Sequence, residues 1–253
     1  MQIDLTGKVA LVTGAAGQLG RVIAQTLAQC GTDVAVHYHH SHDKAEEVAA
    51  AIRALGRRAV TVCADVSRED EVHLMAAHVA EQLGMPQIVV TCAVRQYDWV
   101  SVLEQAPQDY QSQFDTCVMH NVLVAKAFVP HMTEQGYGRF IGINTECAMQ
   151  CLPSQSAYVA GKRGMDGVLR VLAREVGEQG VTVNQVAPGW TISDNDRQRG
   201  TERQPDYERH TALKRRGTDQ EIANAVAFLA SDLAAFITGV YLPVCGGYVM
   251  PAI

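Results

Sequence analysis

Tyr158 and Lys162, in the run Gln155-Ser156-Ala157-Tyr158-Val159-Ala160-Gly161-Lys162, are the residues whose types and spacing could do chemistry. Four positions apart on a helix, two side chains share one face. A phenol with its ordinary pKa near ~10 is a poor proton donor or acceptor at neutral pH, and a cation one turn away favours the phenolate. Such a pair can run acid and base chemistry near neutrality. The spacing alone is common on amphipathic helices, so the rest of the chain has to supply a second reactant and a frame.

The second reactant is announced near the start, where Thr13-Gly14-Ala15-Ala16-Gly17-Gln18-Leu19-Gly20 joins a β-branched apolar run to a helical pattern. Glycines at a strand-to-helix turn let the backbone approach a pyrophosphate, which the helix N-terminus stabilises. At the end of the next strand, His37-Tyr38-His39-His40-Ser41 carries no acid to accept from a ribose 2′-hydroxyl. Tyr38 stands in that place, and His39, His40 and Ser41 offer donors to a 2′-phosphate, which favours NADP over NAD. A plain polar strand end is the alternative for these histidines. A metal site is not expected, because no partner ligand set is evident.

The elements that must position these residues follow from periodicity. Strands are expected at 8–13, 34–38, 59–63, 88–92, 139–144, 181–186 and 240–244. Helices are expected between them: one after the glycine loop ending at Gly31, then 43–55, one opened by Ser67 and closed by Gly84, 107–135, 156–179 and 219–231. Alternation of this kind means βαβ units and a parallel sheet. From 190 to 217 the periodicity fails and the composition turns charged, which reads as a substrate lid or as a solvated surface insertion. With 47% hydrophobic residues among 253, the chain has ample material for a full core.

A net charge of −6 excludes a polyanion-binding footprint. The absence of an apolar run near ~18 residues and of a leader pattern points to a cytoplasmic protein without membrane or nucleic-acid partners. Seven irregularly spaced cysteines fit neither a disulfide framework nor a paired zinc motif and read as mostly buried thiols.

With the glycine loop, Tyr-x-x-x-Lys, the later Asn184-Gln185-Val186-Ala187-Pro188-Gly189, the stretch from Arg215 to Ala223 and Ile237-Thr238-Gly239 through Gly246-Gly247, the chain resembles the classical short-chain dehydrogenase/reductase family over essentially its whole length. Among its subgroups, 3-oxoacyl-carrier-protein reductases are the nearest hint. The His-Tyr-His-x-Ser run is similar to one in pteridine reductases. The resemblance implies a Rossmann-type, doubly wound α/β fold of seven parallel strands with helices on both faces, in one domain over residues 1–253. It also implies a dinucleotide-binding N-terminal half and a homotetramer or homodimer built on the two long helices that carry the active site.

It assigns roles as well. Thr145 stands where the family has the serine that binds the substrate oxygen, Tyr158 is the proton carrier, and Lys162 holds the ribose and lowers the phenol's pKa. Cys117 occupies the place of an asparagine that orients a proton-relay water, with His120 and Asn121 as substitutes one turn on. Gly14, Gly17, Gln18, Leu19, Gly20, Asp65, Val66, Cys92 and Ala93 fall to the nucleotide, and Pro188, Gly189, Thr191 and Ser193 to the nicotinamide end. Glu146 and Trp190 are candidates for the substrate pocket with Tyr97, Trp99 and Met149. Pairing of Glu146 with Arg95, or plain exposure to solvent, are the other readings of that carboxylate. The function implied is NADP(H)-dependent hydride transfer between a small-molecule carbonyl and a secondary alcohol. Because Cys92, Val94, Cys117 and Thr145 all depart from the family pattern, a nucleotide-binding protein with little catalysis, such as a redox-responsive regulator, is the alternative.

Overall fold

A computed structural model describes residues 3–251. Its centre is a parallel sheet of seven strands in the order β3-β2-β1-β4-β5-β6-β7. The strands are β1 (Val9–Thr13), β2 (Asp33–Tyr38), β3 (Ala59–Cys63), β4 (Ile88–Thr91), β5 (Gly138–Ile143), β6 (Val181–Pro188) and β7 (Tyr241–Val244). Residues two apart on a strand share a face, and the sequence is written to that period. Ala10, Val12, Val34, Val36, Ile88 and Val90 pack into one core layer. Their neighbours Val9, Leu11, Ala35 and Val89 pack into the other.

Helices α1 (Gln18–Gln29), α2 (His42–Ala54) and α10 (Asp219–Ala230) cover the first face, with Ile23, Leu27, Val48, Ile52, Ile222 and Val226 turned inward. The second face lies under α3 (Glu69–Leu83), α5 (His120–Glu134) and α7 (Ser156–Val176), which bury Val72, Val79, Leu123, Phe128, Met165 and Leu169. Each of these aliphatic or aromatic side chains contributes about 1.5–3 kcal/mol when buried. Between β1 and β4 the sheet's winding reverses, and in such sheets ligands bind at the strand ends beside that reversal.

Several local readings are corrected. Ser67 does not open α3: its backbone N–H and hydroxyl both donate to Asp65, and Arg68 is the N-cap ahead of Glu69, Asp70 and Glu71. Those three carboxylates favour the helix start through its dipole. The expected long helix at 107–135 is α4 (Pro107–Gln113), a π-helical segment Phe114–Met119, and then α5. After β5 the chain forms a one-turn helix, α6 (Cys147–Gln150), where no helix was expected, and Cys151 ends it in the left-handed region at φ 53°. The stretch 190–217 contains α8 (Asp194–Arg199) and α9 (Pro205–Glu208). Only Cys117 and Cys245 are buried thiols; Cys63 and Cys151 are exposed and Cys30, Cys92 and Cys147 lie between.

Candidate active site

The glycine loop is shaped by contacts that leave no room for side chains. A Cβ on Gly14, which has φ +66°, would lie 2.9 Å from Ala93 Cα, and one on Gly20 would lie 2.3 Å from Gly14 O. Thr13 ties the loop to β4 by accepting from Cys92 N at 2.9 Å and Ala93 N at 3.3 Å. His37 ties it to β2, accepting from Gly14 N at 2.9 Å through Nδ1 while Nε2 faces Ala64 O at 3.0 Å. Burial pushes that imidazole down to about 4, so it stays neutral and keeps Nδ1 as the acceptor. The sequence reading placed His37 among four polar histidines; it is a structural strut of the cofactor loop. No side chain caps α1, whose N-terminus opens onto a cleft of about 720 Å³. Glycine backbone at close approach and free helix N–H groups fit a dinucleotide pyrophosphate.

Along that cleft lie Gly14, Gly17, Gln18, Leu19 and Gly20, then His39, His40 and Ser41, then Asp65, Val66, Cys92, Ala93, Pro188 and Gly189. The His39 and His40 rings lie against each other, centroids 3.6 Å apart. Lys44, on the first turn of α2, lines the same corner and was missed. Nothing in the sequence tells which way a residue of that first turn points. Thr191 and Ser193 do not line the cleft. The Thr191 hydroxyl donates to Gly189 O at 3.1 Å, and Ser193 forms the capping box of α8 with Asp196.

Thr145, Tyr158 and Lys162 meet on one wall of the cleft. Thr145 leaves the end of β5 with its backbone held by Asn144 Oδ1 at 2.9 Å and by the Tyr241 hydroxyl. Tyr158 sits in the first turn of α7, where the Tyr97 hydroxyl accepts from its N–H at 2.7 Å and the Trp99 ring stacks at 5.9 Å. Lys162, one turn on, donates to Ile143 O at 2.6 Å, and its Nζ lies 5.7 Å from the centre of the Tyr158 ring.

Burial pushes the phenol above the ordinary tyrosine range, and the neighbouring Cys147, Cys117 and Cys92 thiols act the same way. The neighbouring Thr145 hydroxyl acts in the opposite direction. The expected lowering by Lys162 is therefore outweighed. A phenol held protonated at neutral pH is a proton donor, and it lines the same wall as the hydroxyl that would polarise a carbonyl.

Cys117 lies in the π-helical segment, buried behind this wall, with Sγ 3.7 Å from Gln113 Oε1. Of the two proposed substitutes only His120 keeps a polar side-chain atom, Nε2, buried without a partner. His120 is buried with Nδ1 bonded to Thr116 O at 3.2 Å, and burial pushes it down to about 3. Asn121 is engaged by Thr91 at 2.6 Å and Cys117 O at 2.7 Å. Cys92 is pushed up to about 11 by burial, so it stays a thiol and lacks the thiolate a redox sensor needs.

Glu146 neither faces solvent nor pairs with Arg95. It is 3% exposed and accepts from Trp190 N at 3.2 Å, the same N–H that the Tyr207 hydroxyl of α9 approaches at 2.9 Å. Trp190 is likewise off the cleft wall, its ring 4.7 Å beneath the Arg216 guanidinium and edge-on to Tyr207.

The stretch 190–217 is fastened at several points. Arg216, buried, donates to Trp190 O at 3.1 Å, Thr191 O at 2.9 Å, Thr201 O at 3.3 Å, Glu202 O at 3.2 Å and Asp196 at 2.9 Å. Arg197 bonds bidentately to Asp219, both at 2.9 Å. Gln18 and Arg21 of α1 reach Ile192 O at 3.0 Å and Asp194 at 2.7 Å, joining this stretch to the cofactor loop.

Residues 14–249 match the family model described as enoyl-(acyl carrier protein) reductase. The chain is 37% identical over 243 residues to the 3-oxoacyl-[acyl-carrier-protein] reductase FabG of Staphylococcus epidermidis, covering 96% of this chain and 99% of that one. It is 36% identical over 248 residues to the FabG of Pseudomonas aeruginosa, covering 98% and 100%. Among solved structures it is similar to LugOII, a promiscuous reductase of keto-reduction at C1 in lugdunomycin biosynthesis. That likeness has TM-score 0.89 at 29% identity and covers 97% of this chain and 99% of that one. It is also similar to a 7α-hydroxysteroid dehydrogenase solved with NADH and 7-oxo glycochenodeoxycholic acid, with TM-score 0.88 at 28% identity, covering 97% and 96%.

Proposed function

The chain belongs to the short-chain dehydrogenase/reductase family, whose members are oxidoreductases acting on CH–OH and C=O groups; from that premise we propose an NADP(H)-dependent reductase of a small-molecule carbonyl, with Tyr158 as the acid. The observation that carries the reading is the meeting of Thr145, a Tyr158 phenol held protonated and Lys162 on the wall of a dinucleotide-shaped cleft. NADPH, when bound, supplies the hydride. Thr145 orients the carbonyl oxygen, and Tyr158 gives its proton to that oxygen as negative charge develops there. Lys162, one turn along α7, holds the ribose and offsets the phenolate charge left after the transfer. The reverse reaction runs through the same groups, with the phenolate as base.

The preference for NADP rests on Tyr38 in place of an acid and on His39, His40, Ser41 and Lys44 gathered in one corner of the cleft. Lys44 adds an ammonium donor to that corner. The stretch 190–217 serves as the substrate lid, and its ties to α1 support that role. Among the described residues no helix is long and apolar enough to cross a membrane. Pairing with a second copy is supported by the apolar groove of Val122, Val129, Pro130, Val168, Val171 and Leu172 between α5 and α7. Light scattering of Val171→Glu should show smaller particles than the native protein, and an unchanged mass would exclude that face.

Following NADPH absorbance against a panel of ketones, sugars and acyl thioesters tests the activity. Turnover that disappears in Tyr158→Phe supports the assignment; NADPH binding without turnover on any of them refutes it.

A further inference from the structure

Glu146 and Tyr207 belong to different parts of the chain, the catalytic loop after β5 and the lid helix α9, and meet behind the Gly189–Trp190 turn. Trp190 N approaches both, at 3.2 Å from Glu146 Oε1 and 2.9 Å from the Tyr207 hydroxyl. Gly189 permits this closeness, because a Cβ there would lie 2.5 Å from that same hydroxyl. Tyr207 is held from behind by Tyr248, stacked at 5.1 Å and 13°, and from the side by the Trp190 ring at 5.6 Å. The carboxyl's other oxygen, Glu146 Oε2, and the neighbouring Gln150 Nε2 are buried without partners. A carboxyl so enclosed, with hydrogen bonds on one side only, pays a desolvation cost whenever it is charged.

We propose that Glu146 is a positioning residue whose proton locks the lid: neutral, it seats Tyr207 and the Gly189–Trp190 turn against the catalytic loop, and on losing its proton it releases them. The lid reading above is the premise, and Gly189, on the wall of the cleft, is the point at which seating reaches the site. The direction follows from linkage. Burial raises this carboxyl from an ordinary 4.5 to about 7, although the Trp190 N–H it accepts favours the charged form. An opened lid would let water reach Glu146 and return it toward its ordinary value. The seated state therefore binds the proton more tightly, and rising pH through about 7 favours opening. A difference of that size biases the lid by up to a few hundredfold between the two protonation states.

The other titratable groups around this junction come from every element packed there. Cys147 on α6 has its thiol pushed up by burial and by Glu146. Tyr207 has its phenol pushed up by burial, Glu146 and Cys245. His210 packs on Tyr248 at 5.5 Å, and Arg216 brings a permanent cation over the Trp190 ring.

The chain has two tryptophans, so Trp99→Phe leaves Trp190 as the sole indole reporter. In that background Trp190 emission should shift toward that of a water-exposed indole as pH rises from about 5.5 to about 8.5, with a midpoint near 7. The transition should survive His210→Asn. Glu146→Gln, a neutral stand-in for the protonated carboxyl, should stay seated throughout, and Tyr207→Phe should be loosened at every pH. In the native protein substrate KM should rise about tenfold or more over the same range as the seated population falls, and should stay flat in Glu146→Gln. Emission that does not change with pH, or a transition that persists in Glu146→Gln, overturns the proposal. Because fluorescence needs no turnover, that outcome is distinct from failure of the reductase assignment. Should Glu146→Gln not fold, the native transition and its change in Tyr207→Phe decide the matter.

Discussion

Replacing Arg216 by Met keeps much of the side chain's length and removes its donors. The guanidinium is fully buried and joins four carbonyls and the Asp196 carboxylate, which it holds well below the usual carboxylate range. Breaking a buried pair from one side costs about 3–5 kcal/mol, and loss of the stacking on Trp190 adds about 1 kcal/mol more. Most of that cost falls on the stretch 190–217, because all five groups that the guanidinium bonds lie within residues 190–202. A local loss of about 4 kcal/mol raises the open population by roughly a thousandfold. Limited trypsin digestion reads this directly, since Arg199, Arg203 and Arg209 are exposed bonds of the lid that the seated structure holds in place. Arg216→Met should be cut within 199–209 far faster than the native protein while the remaining fragments stay folded, and substrate KM should rise. Arg216→Lys, with fewer donors and no planar fork, should fall between the two. Cleavage within threefold of native, with KM unchanged, would refute the idea that Arg216 holds the lid.

Three other outcomes are expected. Tyr158→Phe should lower turnover by a factor of about 10²–10⁴ with NADPH affinity nearly intact by calorimetry, whereas Lys162→Ala should reduce both; a Tyr158→Phe enzyme retaining a tenth of native turnover would reject the acid assignment. Lys44→Ala should weaken NADPH by about tenfold, a typical loss for one charge-assisted hydrogen bond, and leave NADH unchanged; equal effects on both cofactors in steady-state assays would show that Lys44 does not face the 2′-phosphate. Cys117→Asn should leave turnover unchanged or raise it, because an amide replaces a weak thiol partner beside the buried wall; a folded, NADPH-binding but inactive variant would give Cys117 another role.

The parallel sheet could be read from strands alternating with long helices, because period-two and period-3.6 patterns sustained over several turns are unambiguous; its seven strands and the helices on both faces were what the family resemblance implied. The short helices of the lid and α6 could not, since four to six residues complete too little of a period to register. For the same reason the internal order of the stretch 190–217, which rests on ion pairs such as Arg216–Asp196 across 20 positions, left no local signal. Thr145, Tyr158 and Lys162 converge as expected, because helix spacing and a strand end fix where they point. Glu146 was misplaced because its surroundings come from residues 190 and 207, far along the chain. The rise in the Tyr158 pKa was missed for a related reason: a cation four residues away is visible in the sequence, and the burial that outweighs it is not.

The π-helical turn between α4 and α5 also constrains what the chain can become. Each residue advances an α-helix by roughly 100°, so one surplus residue in a turn rotates everything beyond it by that amount. Here the rod packs α4 and the π segment against α7, while the α5 face presents Leu123, Phe128 and Met132 to the sheet. Deleting a single residue from 114–119 would restore a regular helix and turn one of those faces to water. Substitutions at Cys117 therefore leave the rod's phase alone, whereas an indel there would force a choice between the catalytic wall and the core. Such a position tolerates drift in residue type and resists change in length, which makes the length of this segment a more durable mark of ancestry than the identity of any residue within it.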